Sequence, residues 1–150
     1  MDTQLSPHVR PMIEGDLDAV MAIEVASYAH SWKAEHFFHE IAGSCSWPFV
    51  AVEDGHVIGY VCLMSLFEEA QILNVAVQPG HRGRGIARLL LEQAFRVARE
   101  KGAETMALEV RASNAAAISL YEKLGFIRVG IRRGYYESVE DAVLMEKPLL

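Results

Sequence analysis

Between Ile72 and Phe95 the chain reads ILNVAVQPGHRGRGIARLLLEQAF, an apolar strand joined to an amphipathic helix by a turn rich in glycine and arginine. Few segments restrict a fold so tightly. A strand as continuously apolar as Ile72 to Val77 needs cover on both faces of its sheet, so helices must pack above and below it. The helix that follows places Ile86, Leu89, Leu90, Ala94 and Val97 on an inward face and leaves Arg88, Glu92, Arg96 and Arg99 to solvent. Lys101-Gly102 ends it. At the start of that helix, N–H groups without intrahelical partners and a partial positive charge create a place where an anion can dock against the backbone. Gly83 and Gly85 keep side chains out of the way, and Arg82 and Arg84 add positive charge. The plainer reading is a glycine-rich turn capped by solvated arginines.

The rest of the chain alternates strands and helices with no linker, repeat or low-complexity run, so a single domain over residues 1–150 is expected. Val9 to Ile13 reads as a short strand and Asp16 as an N-cap. Leu17, Val20, Met21, Ile23, Glu24 and Tyr28 then recur with helical spacing. A second helix is expected after Ser31, with Phe37, Phe38 and Ile41 turned inward. Trp47 to Glu53 and His56 to Phe67 form a hairpin around Asp54-Gly55, both of which tolerate positive φ. Glu68 and Glu69 mark the next turn. Thr105 to Val110 is a strand, Asn114 to Leu124 a helix, and Gly125 its left-handed stop with Phe126 packing behind it. Phe126 to Ile131 and Ala142 to Lys147 close the sheet, with IRRGYYESVED as the connection between them. Such an order builds a mixed α/β or α+β sheet with helices on both faces.

At 150 residues, with 51% hydrophobic and 23% charged residues, the chain can bury an ordinary globular core. No stretch approaches the apolar length that crosses a bilayer. The polar start MDTQLSPH also lacks the basic and apolar regions of a signal peptide, so a cytoplasmic protein with no membrane partner is expected. The formal charge of −6 argues against direct nucleic-acid binding, which lysines and arginines drive by releasing counterions. It suits a basic protein partner, and equally simple solubility. Cys45 and Cys62 lie far apart with no CxxC pair, so reduced, buried thiols are expected rather than a disulfide or zinc site. His36 and His39 can share a helix face, but no HExxH pattern accompanies them and no metal is expected.

Two familiar phosphate loops fail on these letters. No Lys follows the turn as a P-loop requires, and Arg88 stands where the dinucleotide fingerprint needs its third glycine. What stands is Arg82-x-x-Gly85-x-Ala87. It resembles the R/Q-x-x-G-x-G/A signature of the GCN5-related N-acetyltransferases (GNAT), whose loop holds the pyrophosphate of coenzyme A. LEVRASNAAAISLYEKLGF, Leu108 to Phe126, resembles the second half of the same fold, and the general likeness runs from His8 to the C-terminus. LEVRASNAAAI and IRRGYY, Ile131 to Tyr136, are similar to the bacterial subfamily that acetylates the N-terminal alanine of a small-subunit ribosomal protein.

The resemblance implies a mixed, mostly antiparallel sheet of about seven strands with about four helices on both faces. It further implies that the strands Ile72–Val77 and Thr105–Val110 splay apart to admit the pantetheine arm, with acetyl-CoA as cosubstrate. The acceptor implied is the N-terminus of a basic ribosomal protein. A monomer or weak dimer is expected. One departure is visible, since Gly83 stands where related loops often carry a second basic or polar residue.

Acetyl transfer to an amine needs a neutral nitrogen, a carbonyl held against it and a proton for the departing thiolate. An α-amino group with a pKa of about 7.7–8.0 needs only a modest base, whereas a lysine near about 10.4 needs more help. Glu109 is the candidate base. Met106, Leu108 and Val110 share one face of its strand and leave Glu109 on the other with Ala107, at the C-terminal end where ligands collect. The resemblance carries the same role onto it. A partly dry cleft would favour its protonated form and tune it toward a base. The alternative is a carboxylate paired with Arg111 on a solvated face.

Tyr121, seven residues after Asn114 on one helix face, is the candidate acid, because a phenol with a pKa of about 10 keeps its proton at neutral pH. It also belongs to a possible core stripe with Ala117, Leu120 and Leu124. The implied cofactor site comprises Val75, Ala76, Val77, Arg82, Gly83, Arg84, Gly85, Ile86, Ala87, Asn114 and Tyr121, Asn114 being equally a good helix cap. Backbone N–H groups near Val75 and Val77, left unpaired by the splay, would bind the thioester carbonyl and the pantetheine amides. Trp32, Arg132, Arg133, Tyr135 and Tyr136 are the acceptor-binding candidates, or else part of a polar turn with two packing tyrosines. Rival functions are acetylation of a small-molecule amine, of other protein N-termini or of lysines, and an acyl-CoA sensor without catalysis. The presence of both Glu109 and Tyr121 favours an enzyme.

Overall fold

The computed structural model describes residues 6–136 and 140–150. The first five residues of the polar start, and residues 137–139 of the expected connection, lie outside the described residues. Strands β1 (His8–Pro11), β2 (Ser46–Glu53), β3 (His56–Leu66), β4 (Glu69–Val77), β5 (Thr105–Arg111), β6 (Ile127–Tyr136) and β7 (Glu140–Pro148) form one sheet in the order β1-β2-β3-β4-β5-β7-β6. Neighbours run antiparallel except β4 and β5. Helices α1 (Leu17–Ser27) and α2 (Ala34–Ala42) cover one face, and α3 (Ile86–Glu100) and α4 (Ala115–Lys123) the other.

Alternation along the strands feeds the two layers. Val61, Leu63, Ile72, Met106 and Met145 pack under α3 and α4 with Ile86, Leu90 and Ile118. Val50, Val52, Tyr60 and Cys62 pack under α1 and α2 with Val20, Ile23 and Phe37. Each such side chain contributes about 1.5–3 kcal/mol on full burial, so both layers are needed to hold the central strands. The inward face expected for α3 is observed, with Leu91, Phe95 and Ala98 added and Leu89 half-buried. In α2, by contrast, Phe37 is buried and Ile41 half-buried while Phe38 is 45% exposed. Successive helical residues point about 100° apart, so a short helix laid on β2 by one edge can bury the i, i+4 pair and not the residue between them.

Turns follow the backbone demands of their residues. Asp54 (φ 51°) and Gly55 (φ 78°) both occupy the left-handed region and join β2 to β3. Phe67, expected within the strand, instead takes φ 56° in the turn before β4 and is 79% exposed. Consequently β4 starts at Glu69, with Ala70 buried between Glu69 and Gln71. Gly125 (φ 101°) stops α4, and Phe126 tucks against Phe95 and Tyr121. At the far edge β6 runs to Tyr136, so Arg132, Arg133, Tyr135 and Tyr136 stand on a strand and not in a connection. An edge strand wet on both faces lacks the apolar alternation that marks a buried one.

The functional consequence lies between β4 and β5. They pair only at Glu69/Thr105, Ala70/Met106 and Gln71/Ala107. Beyond that point β4 stays with β3 and β5 stays with β7, and the sheet opens as a wedge. Its origin is local. Leu63 faces Ile72 and Cys62 faces Asn74, which leaves Leu73 as an extra residue that bends and twists β4. The splay expected from the family resemblance is therefore present.

Candidate active site

Two cavities meet in the wedge. One, of about 510 Å³, is lined by residues that include Glu24, Tyr28, Trp32, Leu73, Glu109, Tyr135 and Tyr136. The other, of about 440 Å³, is lined by Val75 to Val77, Arg82, Gly83, Gly85, Ile86, Ala87 and Arg88, among others. Tyr28, Val75, Asn114 and Tyr121 line both and so form the throat between them.

The arm of β4 supplies directed backbone groups. The Gln78 N–H donates to the Ile58 carbonyl on β3 at 2.8 Å, so by alternation Ala76 also faces β3 while Val75 and Val77 point their backbone groups into the wedge. Both of those carbonyls are already satisfied. The Tyr28 hydroxyl donates to the Val75 carbonyl at 2.5 Å, and Arg82 Nε donates to the Val77 carbonyl at 3.0 Å. The N–H groups of Val75 and Val77 are thereby presented as donors on the open side.

At the mouth, Gly83 (φ 78°) and Gly85 (φ 83°) lead into α3, whose first helical bond runs from the Leu89 N–H to the Gly85 carbonyl. The N–H groups of Ile86, Ala87 and Arg88 precede that bond and lack intrahelical acceptors, the arrangement that holds an anion. A β-carbon at Gly83 or Gly85 would meet no heavy atom within 4 Å, so the space in front of the turn is free. The arginines behave differently from expectation. Arg82, although exposed, folds back along the turn to hold the Val77 carbonyl and, at 3.0 Å, the Ser27 hydroxyl. Arg84 lies outside the cavity lining and forms a bidentate pair with Glu53 at 3.0 and 2.7 Å. That hydrogen-bonded guanidinium holds the Glu53 carboxyl below its ordinary range. The turn therefore offers an anion its backbone N–H groups more than these side chains.

Glu109 faces the larger cavity with a side chain 20% exposed, and Arg132 Nη1 stands 3.4 Å from its carboxylate. Arg111, the alternative partner, reaches Glu140 at 3.1 Å and lies over the Tyr136 ring. Tyr121 fulfils both of its readings. Its ring packs on Phe126 in the core while its side chain lines the throat, and burial, followed by Tyr136, pushes its pKa up to about 12. Asn114 likewise caps α4 through a 3.2 Å bond from the Ala117 N–H and lines both cavities. Trp32, Tyr135 and Tyr136 are brought to the cavity that holds Glu109. Arg132 reaches the site through Glu109, whereas Arg133 is exposed and is not among the lining residues.

Sequence reasoning missed Glu24 and Tyr28. Glu24 is 1% exposed and accepts hydrogen bonds from the Tyr60 hydroxyl, Asn74 Nδ2 at 2.8 Å and the Trp32 N–H at 2.8 Å. A buried carboxylate is tolerable only when satisfied in this way. The signal was present, because a glutamate on the apolar face of α1 must find such donors.

A wedge between splayed strands, with N–H donors along one arm and a helix start at its mouth, suits an extended ligand that carries an anionic group. The chain belongs to the acetyltransferase (GNAT) family, whose model matches residues 17–126. It is similar to the [ribosomal protein bS18]-alanine N-acetyltransferase of Escherichia coli strain K12, with 38% identity over 137 residues, covering 89% of this chain and 92% of that one. The N-alpha-acetyltransferase of Saccharolobus solfataricus is 34% identical over 147 residues, covering 89% and 88% of the two chains. Among solved structures, the ribosomal-protein-S18-alanine N-acetyltransferase from Escherichia coli matches with a TM-score of 0.89 and 35% identity, covering 96% of this chain and 94% of that one.

Proposed function

We propose that the protein is an acetyl-CoA-dependent N-alpha-acetyltransferase that acetylates the N-terminal alanine of a small-subunit ribosomal protein by direct transfer in a ternary complex. The observation that carries the reading is the throat, where a cavity lined by the β4 arm and the glycine turn meets a second cavity that holds Glu109. The name of the Escherichia coli relative supports the acceptor. The net charge of −6 suits a basic partner, and modification of ribosomal protein suits a cytoplasmic protein. No described helix is long and apolar enough to cross a membrane.

The residues present fit the carrier. The N–H groups of Ile86, Ala87 and Arg88 hold the diphosphate, and those of Val75 and Val77 hold the pantetheine amides and the acyl carbonyl oxygen. When bound, acetyl-CoA supplies an acyl group already activated as a thioester. Glu109 accepts the proton of the acceptor's α-ammonium group, directly or through a water. Arg132 beside it keeps the carboxylate oriented toward the cavity. Tyr121 carries a hydroxyl that stays protonated at neutral pH and donates that proton to the sulfur as the C–S bond breaks, while the second proton that the nitrogen loses on forming the amide returns through water to the phenolate. Tyr135 and Tyr136 wall the acceptor side and Trp32 closes it opposite, held through the Glu24 carboxylate. The chemistry requires no metal.

A competition assay tests the reading. A peptide beginning with alanine should be acetylated well ahead of the same peptide with a blocked N-terminus, a lysine-bearing peptide or a free polyamine. Preference for the polyamine would sink the proposal.

A further inference from the structure

Where β4 parts from β5, each residue facing the wedge brings a carbonyl as well as an N–H. The N–H groups can hold the oxygen of a bound thioester. A bare carbonyl beside them opposes that task, because its partial negative charge lies next to the atom on which negative charge develops. At Val75 the carbonyl is covered by the Tyr28 hydroxyl, which reaches it from the end of α1 at 2.5 Å.

We infer that Tyr28 is a positioning residue for the transfer: its hydroxyl neutralises the Val75 carbonyl beside the reacting centre, and its ring closes the throat against which the acyl group lies. The inference rests on the acetyltransferase reading of the wedge. Of the four throat residues, Val75 belongs to β4, Asn114 caps the start of α4, Tyr121 lies within α4, and Tyr28 closes the opening from the end of α1. The contact is well anchored. Tyr28 is the C-terminal cap of α1, with its N–H bonded to the Glu24 carbonyl at 3.0 Å. The neighbouring Ser27 hydroxyl accepts from Arg82, whose Nε covers the Val77 carbonyl in the same manner. Two successive wedge-facing carbonyls are thus both capped by side chains, while the N–H groups beside them stay directed into the opening. Burial, with Tyr121 and Glu24 nearby, holds the Tyr28 pKa well above its ordinary value, so the donor persists at any working pH.

Tyr28→Phe keeps the ring and removes the donor. Its kcat should fall about tenfold, the size expected for one net hydrogen bond. KM for acetyl-CoA and for the alanine peptide should stay within about twofold, and calorimetric affinity for coenzyme A should stay near wild type. Tyr28→Ala opens the throat as well, and should raise the rate with propionyl-CoA relative to acetyl-CoA by about tenfold, the discrimination one methylene commonly carries. A wild-type kcat in Tyr28→Phe overturns the inference. So does a variant that fails to fold, or one whose cofactor affinity drops in proportion to its rate, since the hydroxyl is then merely structural. Unchanged acyl selectivity in Tyr28→Ala removes the role of the ring. A wild-type protein that turns over no amine overturns the acetyltransferase reading itself, an outcome distinguishable from all of these.

Discussion

Replacing Gly85 by alanine separates the conformational role of the phosphate turn from its role in binding. Gly85 holds φ 83° at the start of α3, and Gly102 holds φ 93° just beyond its end. A β-carbon at either position meets no heavy atom within 4 Å. Each alanine therefore costs the protein only the strain of a left-handed backbone, about 1–2 kcal/mol, and the two variants should lose equal stability in a denaturant titration. Their effects on ligand must differ. A methyl group at position 85 stands where an anion approaches the N–H groups of Ile86, Ala87 and Arg88, and it displaces the anion from at least one of them. A hydrogen bond to a charged acceptor contributes about 1.5–3 kcal/mol, so the calorimetric affinity for coenzyme A should fall about ten- to a hundredfold. Gly102→Ala should bind as wild type. Equal affinities in the two variants, or equal losses, would refute the reasoning that the backbone of this turn grips the diphosphate.

Four further outcomes are expected. Glu109→Gln should lower kcat about a hundredfold or more at neutral pH with cofactor affinity retained, and the deficit should shrink as pH rises through about 7.7–8.0, where the acceptor amine loses its proton unaided. Tyr121→Phe should lower kcat about tenfold, and because the wild-type hydroxyl titrates only near about 12, the pH–rate profile should show no alkaline fall from this group below about pH 11. Arg84→Ala should change coenzyme A affinity by less than about threefold in calorimetry, since that guanidinium is committed to Glu53 on the surface. Glu24→Ala strands the Tyr60, Asn74 and Trp32 donors and should destabilise the fold by about 3 kcal/mol in urea unfolding.

What could be read from sequence was local. The strand, glycine turn and helix from Ile72 onward, the Asp54-Gly55 hairpin and the Gly125 stop each follow from the backbone preferences of a few adjacent residues, and each is present. The wedge itself is not of that kind. It depends on one extra residue, Leu73, in a run whose apolar residues are nearly continuous and show no alternation that a shift of register would break, and only the family resemblance pointed to it. Arg84 looked like a phosphate ligand because its partner, Glu53, lies far off on β2 and is invisible to spacing. Glu24 and Tyr28 fitted the helical period of α1 so well that they read as core, although one is a satisfied carboxylate and the other a cap on β4. Arg132 to Tyr136 looked like a loop because an edge strand needs no apolar face.

The fate of the acetyl group decides the function. Ribosomal small-subunit protein with a free N-terminal alanine, incubated with the enzyme and isotopically labelled acetyl-CoA, should gain the mass of one acetyl group, located by fragmentation on the α-nitrogen of that alanine. Label on lysine side chains alone, or none on protein while a small amine in the same mixture is acetylated, would contradict it.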